Sequence, residues 1–326
     1  MRNYIIRRLL ILIPTLLILT FIIFLLAALI PGDIIDATQS RSTAEIGVDR
    51  EALEKLYGLD APFMVQYGRW LGVVPLQEGG LQGFLQWDLG RSWWRRRPVL
   101  ELVGLSWPVT LELGIMAIII ANLISLPVGV YSALRQDQIG DYVARSYAVL
   151  AISLPNFWLG TMVIVYPSIW WGYMPPIMMA PFLEAPWDNL RMFVIPAIVL
   201  GMTMQGANMR LTRTMMLEVL RQDYVRTAWS KGLRERVIFL RHALKNALIP
   251  IVSSIGLQMP VLIGGTVIIE NIFNLPGMGR LTYNAILQRD QPLIVGTVVF
   301  FSIALVLINL IVDLTYAWLD PRVHYK

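Results

Sequence analysis

YVRTAWSKGLRERVIFLRHALKNALIP, residues 224–250, sets basic and apolar residues at helical spacing between two long uncharged apolar runs. Helices that only cross a bilayer have no need of such an insert, so the stretch is expected in the cytoplasm, with something to touch. Val225, Ala228, Trp229, Gly232 and Leu233 fall at i, i+3, i+4, i+7 and i+8, one apolar stripe of a helix. Arg226, Thr227, Ser230, Lys231, Arg234 and Glu235 take the other face. Ala228 and Gly232, one turn apart, leave room for another surface to come close, whereas a glycine in an ordinary helix costs about 1 kcal/mol. Two readings follow: the stripe seats against a partner protein, or the helix lies on the inner leaflet with its cations on lipid phosphates.

Working outward, the chain has 326 residues, is 56% hydrophobic and 15% charged, and has a mean hydropathy of +0.60, the composition of a membrane protein. Runs without Asp, Glu, Lys or Arg cover residues 9–30, 113–134, 146–183, 192–209, 246–269 and 293–312. Each is long enough to cross a core of roughly 30 Å, the third with an outer loop to spare. The expected fold is all-α, with six transmembrane helices. Residues 1–32 form the N-terminus and first helix, 33–107 a partly helical extracytoplasmic insert, and 108–326 the remaining five helices, with a cytoplasmic loop at about 210–248. The first run exceeds a usual signal-peptide core and no A-x-A site follows it, so it reads as an uncleaved span.

Lys and Arg cluster before the first run (Arg2, Arg7, Arg8), between the second and third (Arg135, Arg145), between the fourth and fifth (nine from Arg210 to Lys245) and at the C-terminus (Arg322, Lys326). All of these lie on one side of a six-helix count, so both termini are expected in the cytoplasm of a multi-pass cell (inner) membrane protein. Arg95, Arg96 and Arg97 fall outside, in an insert long enough to escape that rule. The net charge of +5 thus follows membrane topology and implies lipid contact, not nucleic acid. The chain has no cysteine, which excludes disulfides and thiol chemistry.

In the insert, Asp49 can cap a helix that carries Ala52, Leu53 and Leu56 and ends at Gly58. A second helix is expected over 63–71, and a short surface helix over 98–106. Trp87, Trp93, Trp94, Trp107, Trp170 and Trp171 read as an interfacial belt. Uncharged polar residues within the runs are the candidate translocation pathway: Asn156 and Ser153 beside Pro155, Gln205 with Thr203 and Asn208, Ser254 one turn before Gln258, and Asn309. Polar amides are costly against lipid and are expected to face protein or a water-filled cavity; bonding between helices accounts for any one of them equally well. His242 and His324 have no partner at ligand spacing, so no metal and no catalytic residue is expected.

Several further blocks run collinearly along the chain: YIIRRLL, IPGD, YGLDAPFMVQYGRWL, DLGRS, WPVTLELG, SLPNFWLG, RHALKNALIP, ENIFNLPGMGRL, ILQRDQPLIVG and NLIVDLTYAWLDPRV. With YVRTAWSKGL they resemble the ABC importer permeases of the dipeptide/oligopeptide/nickel family, and specifically the first of the two paired permease subunits. The chain departs from that pattern at Trp229 and Ser230, where Arg-Ala is expected, and at Ile34, where Pro follows IPGD. The resemblance implies that the loop around 224–250 docks an ATPase through Val225, Arg226, Thr227, Ala228, Trp229, Lys231, Gly232 and Leu233. It further implies a homologous second permease, two P-loop ATPase subunits that bind ATP and Mg, and an extracytoplasmic substrate-binding protein. No G-x-x-x-x-G-K-[ST] occurs in this chain, so hydrolysis belongs to a partner and no cofactor is expected here. The alternative is an ion-coupled secondary transporter, which usually carries carboxylates inside its spans; here Glu112, Glu270 and Asp313 stand only at the edges of runs.

Overall fold

The computed structural model describes residues 2–29, 35, 50–76, 79–174, 176 and 179–319. Asp49, the IPGD block with Ile34, Pro175, His324 and the C-terminal cations lie outside the described residues, as do the side chains of Ala52 and Leu56. Among the described residues the secondary structure is helical, apart from one isolated bridge, Arg91 to Pro98. The helices are α1 (Arg2–Ala28), α2 (Arg50–Tyr57), α3 (Phe63–Leu71), α4 (Val99–Leu134), α5 (Ile139–Ser153), α6 (Asn156–Trp171), α7 (Pro186–Leu220), α8 (Asp223–Ser230), α9 (Lys245–Ile272), α10 (Met278–Gln288) and α11 (Gln291–Leu319). Five stretches are long and apolar enough to cross a membrane: Leu10–Ala28, Val99–Leu134, Pro186–Leu220, Glu235–Pro260 and Gln291–Val312.

A sixth span exists only if α5 and α6 are counted as one, and they meet at 98°. The third apolar run is therefore broken and not a single straight helix. Pro155 is the cause: it has no N–H to continue the ladder and pushes Leu154 out of the helical region, to φ −83 and ψ 124. The expected surface helix over 98–106 is also corrected, because those residues are the first turns of α4. Val99, Leu102 and Val103 are buried there. Pro108 does not end the helix, which runs unbroken from Val99 to Leu134.

The chain divides into two compact units. The first comprises residues 1–108 and 277–307. Its core is Leu89, Val99, Leu102, Met278, Leu281 and Leu293, flanked by an aromatic cluster in which Phe24 of α1 meets Phe63 (5.5 Å), Tyr67 (5.6 Å) and Trp70 (6.1 Å) of α3. Buried Asp290, just before α11, collects the loop that follows residue 90. Its carboxylate accepts from Ser92 Oγ (2.5 Å), Trp93 N (3.2 Å), Trp94 N (3.3 Å) and Leu293 N (3.4 Å). Three of the expected belt tryptophans are thereby committed to packing. Trp93 lies on Tyr57, Trp94 Nε1 donates to Gln288 O at 2.7 Å, and Trp107 packs edge-on to Phe300. Trp87, Trp170 and Trp171 remain exposed.

The second unit comprises residues 109–276 and 308–324, with α7 at its centre. A Cβ placed on Gly201 would stand 2.8 Å from Ala117 O, and one on Gly206 only 2.6 Å from Ala148 O. Helix backbones therefore touch on two sides of α7, the small-residue packing of membrane bundles. At the α4–α5 turn, buried Asp141 takes a bidentate pair from Arg213 of α7 (Nε 2.7 Å, the terminal nitrogen 2.8 Å) and further bonds from Ser132 Oγ and Asp137 N. Arg145 approaches it to 3.6 Å. Two cations counted above toward topology thus serve a buried carboxylate. Asp141→Leu leaves Arg213, only 17% exposed, without its partner and is expected to cost about 3 kcal/mol. Thermal unfolding in detergent checks this, and Asp141→Leu with Arg213→Met is expected to recover most of the loss.

Candidate functional site

The loop after α7 forms the site expected at 224–233, with one change of geometry. Asp223 stands in the first turn of α8, where a negative charge suits the helix dipole, and Arg226 pairs with it at 3.3 Å. Thr227 Oγ1 back-bonds to Asp223 O at 2.9 Å. The helix stops at Ser230, so Gly232 is not on its stripe. Gly232 has φ +70, its N–H donates to Trp229 O, and Leu233 N–H reaches Ala228 O. This is a Schellman end with glycine at the left-handed position. Lys231 caps the helix immediately before it, and a glycine following Lys after an amphipathic turn was the signal that could have shown it.

The apolar residues divide between two faces. Val225 and Ala228 are buried against Ile238, Val219, Leu220 and Phe239 of the chain itself. They hold α8 down and are not open to a partner, which corrects their place on a docking stripe. Tyr224, Trp229 and Leu233 are 44%, 43% and 39% exposed and make the outward apolar face. Nothing lies within 4 Å of a Cβ placed on Gly232. Tyr224 Oη accepts from Asn246 Nδ2 at 2.8 Å, tying α8 to the start of α9. Between them run one turn of α-helix, Glu235–Val237, and a seven-residue π-helix, Ile238–Leu244, a feature that sequence spacing did not announce. His242 sits in that π-helix, and its carbonyl accepts from Asn246.

The expected pathway residues occupy separate places. Ser254 Oγ and Asn208 Oδ1 both accept from Gln258 Nε2 at 2.9 Å, and Asn208 Nδ2 donates to Asn122 Oδ1 at 3.1 Å. One amide chain therefore joins α9, α7 and α4. Asn122 had not been singled out, though an amide in the middle of an apolar run was a visible signal. Gln205 is buried and accepts from Tyr147 Oη of α5 at 2.7 Å. Asn156, the first residue of α6, accepts from Thr203 Oγ1 at 3.0 Å and donates to Leu200 O at 3.4 Å. Asn309 is exposed on α11. Bonding between helices thus occupies Gln258, Gln205 and Asn156, while Ser254 accepts from Gln258 within α9. Among the described residues, no group of three or more His, Asp or Glu could hold a metal ion.

Residues 125–325 match the family described as binding-protein-dependent transport system inner membrane component, and residues 1–114 match its N-terminal counterpart. The chain belongs to this transport family. It is 39% identical over 316 residues, 96% of each chain, to a putative peptide transport system permease protein of Brucella suis. It is 37% identical, over the full length of both, to an oligopeptide transport system permease protein of Bacillus subtilis. A glutathione transport system permease protein of Salmonella paratyphi A is 36% identical, again at full length. Among solved structures it resembles an amino acid ABC transporter, with a TM-score of 0.50 at 15% identity, covering 67% of this chain and 94% of that one. At that identity the likeness concerns the fold alone, an all-α ABC permease fold.

The amide chain gives this family member a measurable asymmetry. Gln258→Leu removes one bond between helices, worth about 0.6 kcal/mol in a membrane protein. Asn208→Leu severs the links to both Gln258 and Asn122 and is expected to lower stability about twice as much. Thermal unfolding of the two variants in nanodiscs checks the ratio.

Proposed function

We infer that this chain is the permease subunit of an ATP-driven importer for peptides or similar small solutes, forming half of the translocation pathway. Likeness along at least 96% of its length to permeases of peptide, oligopeptide and glutathione systems carries the reading. A homologous second permease supplies the other half, two P-loop ATPase subunits bind ATP and Mg, and an extracytoplasmic binding protein delivers cargo. Both termini face the cytoplasm, as the Lys and Arg distribution supports. Neither the relatives nor the fold favours the ion-coupled alternative.

Coupling to the ATPase passes through α8. Trp229 and Leu233 form the apolar contact, Arg226, Thr227 and Lys231 surround it, and Gly232 keeps the helix end slim. Val225 and Ala228 brace the helix from behind. Gln258, Ser254, Gln205, Asn156 and Asn309 remain the proposed pathway residues, with Gln258 the first to replace in a transport assay.

Trp229→Ala is expected to reduce ATPase co-purification and substrate-stimulated hydrolysis several-fold, because it removes an exposed aromatic anchor. Gly232→Trp is expected to lose both through a clash at the docked surface and the strain of a non-glycine left-handed residue, about 1–2 kcal/mol. Gly232→Asn separates the two causes: it tolerates that backbone while staying small, and is expected to retain docking. Lys231→Glu is expected to change little. If Trp229→Ala and Gly232→Trp both keep the ATPase while Lys231→Glu loses it, α8 is a lipid-surface helix instead.

A further inference from the structure

A cavity of about 350 Å³ lies within the first unit, walled by the end of α2, by α3, by the loop at residues 89–93 and by the start of α11. Its size falls within the roughly 300–1,000 Å³ of small-molecule sites. Four aromatic rings, those of Phe24, Tyr57, Trp70 and Trp93, line it. Each is fixed by its neighbours. Trp70 stacks on Phe84 with centroids 5.5 Å apart, Trp93 lies on Tyr57 at 5.2 Å, and Phe24 packs on Trp70. The backbone beside Trp93 is held by Asp290. The cavity is therefore preformed.

Two lining residues carry donors with nothing to donate to among the described residues. Arg69 Nε and Trp70 Nε1 are both buried and lack a hydrogen-bond partner. Buried N–H groups are almost always paired, and consecutive orphans at one cavity are what an absent acceptor leaves behind. None of the described lining residues is acidic, so they offer Arg69 no counter-charge. Arg combines a charge with planar N–H donors suited to an oxyanion, and the rings beside it suit an apolar body.

We propose that this cavity binds a small amphiphile whose carboxylate lies on Arg69 and Trp70 and whose apolar part lies among Phe24, Tyr57 and Trp93. The C-terminal carboxylate of a short apolar peptide and a fatty acid share this chemistry. The site is independent of the transport reading, because it needs only this chain. The test uses the full-length chain in nanodiscs and calorimetric titration with three probes: trileucine, trileucine amide and dodecanoate. Saturable binding of trileucine or dodecanoate is expected, with the amide at least tenfold weaker than the free peptide if the peptide is the ligand; dodecanoate alone binding assigns a membrane source. Arg69→Met, which keeps the apolar stem, is expected to weaken the bound carboxylate at least tenfold and to abolish any preference for acid over amide. Trp70→Phe is expected to weaken it several-fold. Arg69→Met should keep the wild-type unfolding midpoint, since its Nε pairs with nothing among the described residues. Absence of saturable binding by either carboxylate, equal binding of trileucine and its amide, or an unchanged Arg69→Met titration overturns the proposal.

Discussion

Backbone touching backbone along α7 sets the terms for everything else in the second unit. At Gly201 and Gly206 there is no space for even a methyl group between α7 and the carbonyls of Ala117 and Ala148. Helices held that close bring their polar positions within bonding reach, so Asn208 meets Asn122 and Gln205 meets Tyr147. In hydrocarbon an amide has no water to fall back on, and the close approach is what makes its burial tolerable. The Arg213–Asp141 pair ends the same interface with a charge-assisted fork. Tight packing, amide pairing and ion pairing are successive consequences of one distance.

The spans were legible because the bilayer imposes a simple length and polarity criterion. Five apolar runs became helices at nearly the positions where charge was lacking, and α3 formed over the expected residues. The interruptions were less legible. Pro155 and Pro108 carry the same chemistry, yet one turns the chain by 98° and the other leaves α4 continuous. The presence of a proline alone does not announce which of the two outcomes a helix takes.

Charge was legible only as a count, for a related reason. Arg145 and Arg213 served as evidence of a cytoplasmic loop, but a count of cations does not say which of them turn inward to a carboxylate. The stripe at Val225, Ala228, Trp229, Gly232 and Leu233 was read as one face because helical spacing was carried past the residue where the helix ends. Gly232 in the left-handed region ends it, and packing on Ile238, Leu220 and Phe239 buries Val225 and Ala228 while Trp229 and Leu233 stay partly exposed. The same five residues therefore divide into those that anchor the helix and those that present it.

The π-helix at Ile238–Leu244 lies between that presented surface and the amide chain of α9. A π-turn holds more residues than an α-turn, so it stores slack in a rod that otherwise transmits twist without loss. Letting one residue out of this stretch would rotate α8 by about 100° about the α9 axis, the angle of a single helical step. Ser254 and Gln258, farther along the rod, would keep their partners. The joint thus sets the rotational register between the turn at Glu235–Val237 and α9.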